Sequence, residues 1–243
     1  MAESFFWGLV AGLSLLVGGV IARRVPISRR LLGLIMAFGA GVLISAVAYE
    51  LVHEAFETSA GDGGVAIGLI AGSITFFLGE LAIERLGGGA EVGSPDDRAV
   101  QAGRAIVLGI ILDGIPESFV LGLTVLEAGT VSAAFLAAVF LSNVPEAVAA
   151  TTALGRAGRD TMRIMRFWLV VALGFGLTSL AGYVLLDSAS PRTVAFVLAF
   201  AGGAILTMLA NTMMPEALEH GGKLAGLLTT LGFALAFAIS SLQ

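Results

Sequence analysis

The chain has no cysteine, only two histidines and two tyrosines, and few charges: 13% of its 243 residues are Asp, Glu, Lys or Arg. The absence of cysteine excludes disulfides and thiolate metal sites, so any metal chemistry must use oxygen or imidazole ligands. No glycine-rich phosphate loop precedes a lysine, which excludes an ATP-driven pump of the usual kind, and no nucleophilic Ser or Cys motif is present. With 57% hydrophobic residues and a mean hydropathy of +0.97, a water-soluble domain would have to expose large apolar patches. Nothing in the composition suits nucleic acid as a partner. The partner it does imply is a lipid bilayer.

A membrane-crossing helix needs roughly 20 apolar residues. Eight runs meet that length, at 4–22, 31–52, 64–86, 104–126, 131–154, 166–187, 192–214 and 223–241. They are long and unbroken, whereas the strands of a membrane barrel would be short and alternating. The sequence therefore predicts an all-α integral membrane protein, one transmembrane domain over 1–243, with a glycine-rich cytoplasmic connector at 87–101. The N-terminus lacks a basic region before its first apolar run, which predicts a retained helix instead of a cleaved signal.

Lys and Arg accumulate in cytoplasmic loops. Arg23, Arg24, Arg29 and Arg30 follow the first span, Arg85, Arg98 and Arg104 flank the third loop, Arg156, Arg159, Arg163 and Arg166 fill the fifth, and Lys223 lies in the seventh. Arg192 alone falls on the opposite side. This asymmetry predicts a cell-membrane orientation with both termini outside.

Two segments pair proline with glutamate inside apolar runs: Ile111-Leu112-Asp113-Gly114-Ile115-Pro116-Glu117 and, 29 positions later, Phe140-Leu141-Ser142-Asn143-Val144-Pro145-Glu146. A charged carboxylate at the centre of a membrane helix costs at least about 2.5 kcal/mol, so it normally faces something that compensates it. Each proline also frees a carbonyl four residues back, at Leu112 and Leu141. The pattern predicts two interrupted helices meeting at a polar site. Asp113 and Glu117 are four apart, as are Ser142 and Glu146, so each pair projects from one helical face. With Asn143, these groups can form an all-oxygen cage for a divalent cation.

Further acids lie toward the ends of two other spans. Glu50, His53, Glu54 and Glu57 close the second, as an entrance that concentrates cations, and Glu216, Glu219 and His220 close the seventh, as an exit. Glu57 and Glu219 read equally well as solvated helix ends. Glu80, deep in the third span, has no evident partner.

The second and seventh spans align without a gap at an offset of 162, from Met36-Ala37-Phe38-Gly39-Ala40-Gly41 against Leu198-Ala199-Phe200-Ala201-Gly202-Gly203 to Glu54-Ala55 against Glu216-Ala217. The first and sixth share Phe-Trp, at Phe6-Trp7 and Phe167-Trp168. Five spans separate these partners, so each pair runs in opposite directions through the membrane. Inverted repeats meeting at a midplane site describe a secondary transporter.

On these residues the chain resembles the ZIP family of divalent-metal transporters, over nearly its whole length. The resemblance implies eight spans in a 3+2+3 inverted arrangement, transport of zinc, iron or manganese, and a homodimer; the small-residue face from Gly8 to Gly12 would permit close helix contact. The metal is then the substrate, with no resident cofactor. It implies that Glu117 and Glu146 bridge the metal, with Asp113 where the family has its first histidine of span four and Ser142 and Asn143 at the polar positions of span five. Gly114 departs from the usual asparagine, span six carries no acid, and the third loop has no histidine. The remaining site is single and oxygen-rich, which favours Mn²⁺ or Fe²⁺ more than a histidine site would. Two other functions fit some of the same residues. One is a proton-coupled carrier of a small organic cation; the other is an intramembrane metalloenzyme built on His53-Glu54-Ala55-Phe56-Glu57, which begins like H-E-x-x-H but ends in glutamate.

Overall fold

A computed structural model describes residues 1–25, 27–59, 63–87 and 95–241, the side chains of 86–106 and 128 excepted. The described residues form eight helices and no strand. They are α1 (Ala2–Arg24), α2 (Arg29–Thr58), α3 (Gly64–Gly87), α4 (Pro95–Ala128), α5 (Ala133–Arg156), α6 (Thr161–Leu186), α7 (Pro191–Gly221) and α8 (Leu224–Ser240). Seven are long and apolar enough to cross a membrane; α8, at 17 residues, is shorter. These are the helices of a multi-pass membrane protein.

Local chemistry sets their ends. Ser28, Ser132, Asp160 and Ser190 each accept a hydrogen bond from the backbone N–H three residues on, capping α2, α5, α6 and α7. Gly158 and Gly222 follow α5 and α7 at φ +75° and +64°, a left-handed backbone that favours glycine. The connector expected at 87–101 is shorter than its composition implied, because α4 is already helical from Pro95. Proline suits a first helical position, and Asp96 and Asp97 suit the positive end of the helix dipole. Residues 88–94 lie outside the described residues, as do the side chains of Arg98 and Arg104.

Pro116 and Pro145 do not interrupt α4 and α5, which run continuously through them. The departures from α geometry lie elsewhere, in π-helical turns at Val47–His53 of α2 and Leu209–Met213 of α7. Pro215 explains the second: it lacks an N–H and crowds the carbonyl of Asn211 four residues back, which the wider turn relieves.

The helices pack in two groups. In one, α1 lies against α5 and α6, and α4 against α6; in the other, α3 lies against α7 and α2 against α8 and the end of α7. The groups meet where α2 crosses α5 and where α4 meets α3 and α7. Trp168 anchors the first group, fully buried with its indole N–H donating to Thr151 Oγ1 at 2.9 Å.

Glycine makes the second group tight. A Cβ at Gly41 or Gly232 would collide with the carbonyls of Thr229 and Phe38 across α2 and α8, and one at Gly203 or Gly72 would collide with those of Leu69 and Phe200 across α7 and α3. Small residues let membrane helices approach this closely.

Candidate metal centre

The α4–α5 crossing holds the proline-glutamate pairs. Glu117, Ser142 and Asn143 are each 1% exposed and Asp113 is 7% exposed, while Glu146 is partly buried. Ser142 donates its hydroxyl proton to the Val139 carbonyl at 3.0 Å and lies beside the Glu117 carboxylate. Glu146 stands within electrostatic reach of Asp113, Glu117 and Glu216, and all of these charges repel. The structure thus brings together α4, α5 and the lower end of α7.

Three buried atoms at this crossing have no hydrogen-bond partner: Glu117 Oε2, Asn143 Nδ2 and Glu146 Oε2. Buried polar atoms in folded proteins are almost always paired, so three orphans on adjacent side chains need a reason. Among the described residues, no three of His, Cys, Asp and Glu stand close enough to hold a metal ion. The carboxylates share a neighbourhood without forming a closed cage. The freed carbonyl of Leu141 packs against Gly39 of α2, where an added Cβ would lie 3.3 Å from it.

A cavity of about 460 Å³ reaches Asp113 and Glu146 from the end of the molecule that carries Arg29 and Arg156. Glu216 and His220 line it, and the His220 ring lies 3.0 Å from the Glu216 carbonyl. Glu219, read with them from the sequence, is exposed and does not line this cavity.

At the opposite end a vestibule of about 990 Å³ is lined by Glu50, His53 and Glu54, which the sequence suggested as an entrance, together with Glu127. Glu127 was missed in the sequence because an acid at the last turn of a helix reads as solvated. The Glu50 carboxylate is tied down by two hydroxyls, Ser132 Oγ at 2.5 Å and Ser240 Oγ at 3.0 Å. Ser132 caps α5, so this contact joins the two helix groups at the vestibule end.

No protein-family model matches the chain. A protein of Arabidopsis thaliana described as a "putative zinc transporter" is 25% identical over 192 residues, covering 77% of this chain and 30% of that protein. The chain therefore spans less than a third of the length of that relative.

Proposed function

We propose that the chain is a secondary transporter of the ZIP kind, moving a divalent transition-metal cation (zinc, iron or manganese) across the cell membrane into the cytoplasm by alternating access. The observation that carries this reading is the pair of orphaned carboxylate oxygens on Glu117 and Glu146, beside a cavity lined by Asp113, Glu146 and Glu216. Buried like charges repel strongly in a low-dielectric interior, and a divalent cation is the ligand that turns this repulsion into attraction. In this reading Asp113, Glu117, Ser142, Asn143 and Glu146 supply the oxygens, and the carboxylates close on the ion when it arrives.

The 3+2+3 arrangement gains support from packing. Exchanging α2 with α7 and α3 with α8 turns the α2–α8 contact into α7–α3, and the glycine collisions correspond: Gly41 with Gly203, Gly72 with Gly232. Both π turns begin at matching places, Val47 and Leu209, which are 162 apart. Repeats of opposite orientation give the two access states of such a carrier. The Lys and Arg placement supports both termini outside, which makes the cavity at Arg29 and Arg156 the cytoplasmic exit. A homodimer belongs to the same reading, but not through Gly8 to Gly12, which pack inside the chain against Ser179 and Ala172 of α6.

The name of the Arabidopsis relative supports metal as the cargo. The test is uptake by purified protein in liposomes, with Zn²⁺, Mn²⁺ and Fe²⁺ offered separately and Glu117→Gln as the control. Saturable uptake of at least one ion, lost in the control, is expected. Uptake of none, or equal uptake by the control, overturns the reading.

A further inference from the structure

Between α4 and the α3–α7 pair lies a cavity of about 330 Å³. It falls near the midpoints of the membrane spans, since Pro116 lines it from the middle of Val107–Glu127 and Thr75 from the middle of Gly64–Arg85. Thr75 is the one lining residue with a polar side chain, and its hydroxyl donates to the Ala71 carbonyl of its own helix at 2.8 Å. A cavity holds water only where several polar groups can bond it. This one offers carbon, and its volume is in the range of sites for apolar ligands.

The aligned segments of the chain show how the opening arises. Ala201 stands 162 positions after Gly39, and Leu112 stands 29 before Leu141. Gly39 and the Leu141 carbonyl lie against each other where α2 crosses α5. Where α7 meets α4, Ala201 and Leu112 instead line the cavity. Leu112, Ile115, Pro116 and Phe119 follow helical spacing, so one whole face of α4 borders it. The cavity is thus a gap in the seam between the two helix groups. Its edge is continuous with lipid-facing surface: Ile115 is 47% exposed, and Ile74 and Leu78, beside Thr75 on α3, are 53% and 55% exposed.

We propose that this cavity binds an acyl chain of a bilayer lipid, held between α4 and the α3–α7 pair. Head groups lie at the membrane surfaces, about 15 Å from the level of Pro116, so the tail is the part of a lipid that reaches this depth. A chain seated here supplies the close atomic contacts that a gap between helices forfeits. It touches both helix groups and fills the seam at a crossing where their own side chains do not. The proposal needs only the cavity and the bilayer, and stands apart from the transport reading.

The test is photolabelling of the full-length protein in phosphatidylcholine vesicles whose lipid carries a diazirine midway along one acyl chain, with adducts mapped by mass spectrometry. Lipid around the protein labels exposed residues in any case, so the readout is Phe76 and Ala201, each 3% exposed and both lining the cavity. Adducts on both are expected in wild type. They should be lost in Ala204→Phe, which fills the cavity. They should also be lost in Ile115→Trp, which narrows its edge from the lipid side and decides the matter should the first variant fail to fold. Labelling of Leu169 and Leu177, on the exposed face of α6, should persist in both variants. Adducts confined to exposed residues, or adducts on Phe76 and Ala201 that neither variant reduces, overturn the site. A sterol or other ring compound that copurifies with the protein, and must be removed before Phe76 is labelled, overturns the choice of an acyl chain.

Discussion

Ser240 donates its hydroxyl to Glu50 at 3.0 Å, and Thr212 donates to Glu80 at the same distance with the roles reversed along the chain. Glu50 and Thr212 are 162 positions apart, while Glu80 and Ser240 are 160 apart. One bond joins α2 to α8 and the other α7 to α3, so each is the counterpart of the other at opposite ends of the molecule. The two ends differ in what else is held. Glu50 also accepts from Ser132 of α5 and so spans both helix groups, whereas Glu80 takes its second bond from Asn211 within its own group. The molecule is thus tied across its groups at the vestibule end, while a cavity reaches Asp113 from the other.

The tie at Ser132 is separable from its capping role. Ser132→Ala removes both the α5 cap and the bond to Glu50, and should lower stability by about 1 kcal/mol from the cap alone. Ser132→Asp keeps a capping oxygen but sets a second carboxylate against Glu50. The aspartate variant should therefore open the vestibule end more readily than the alanine variant. Labelling of a cysteine introduced at Thr124, which lines the vestibule, measures this; rates no faster than wild type in both variants would show that Glu50 does not hold the groups together.

Charge removal at the crossing should separate function from folding. Glu117→Gln and Glu146→Gln each delete a carboxylate with an orphaned buried oxygen, so neither should lower the melting temperature. Each should cut metal flux about 100-fold, equivalent to about 2.8 kcal/mol of cation affinity. Near-normal flux from either variant would remove that residue from the site. Glu57→Gln, at an exposed helix end, should change uptake mildly and chiefly at low ionic strength, where distant charges are least screened.

Glycine substitutions test the repeat. Gly41→Ala and Gly203→Ala place a methyl on a facing carbonyl, Thr229 in one case and Leu69 in the other, and each should cost about 1–3 kcal/mol through overpacking. Gly174→Ala and Gly226→Ala meet nothing within 4 Å and should be neutral or slightly stabilising, since alanine is the better helix former. Thermal melts in detergent read all four. A large difference between Gly41→Ala and Gly203→Ala would show that the two helix pairs do not pack as counterparts.

The membrane-length helices could be read from the sequence because each rests on local chemistry. Apolar length marks a membrane helix, and the ungapped match from Met36 to Glu54 against Leu198 to Glu216 survives without knowledge of the fold. Partners across space could not be read. Nothing near Glu80 in the chain points to Asn211 and Thr212, which reach it only through a π turn; nothing near Ser132 points to Glu50. The effect of proline was also misjudged. Pro116 and Pro145 promised interrupted helices, but packing covers what they free, as Gly39 covers the Leu141 carbonyl, and the helices continue. Pro215, outside the duplicated motif, is the proline beside a real change of helical geometry.

Asp113 should set which ion is preferred. It lines the cavity at the Arg29 and Arg156 end and is 93% buried, with Glu80 and Glu146 within its field. A carboxylate there favours hard ions, and Asp113→His adds a softer nitrogen ligand while removing one negative charge. The substitution should shift competition toward Zn²⁺ at the expense of Mn²⁺ by about tenfold, a change of about 1.4 kcal/mol in relative affinity. Protons compete with metal for the same oxygens, so wild-type uptake should fall as the medium is acidified. The measurement is Mn²⁺ against Zn²⁺ flux in liposomes at two pH values, for wild type and Asp113→His. An unchanged Mn/Zn ratio would mean that Asp113 does not touch the transported ion. Glu117, Glu146 and the polar groups of α5 would then hold it alone.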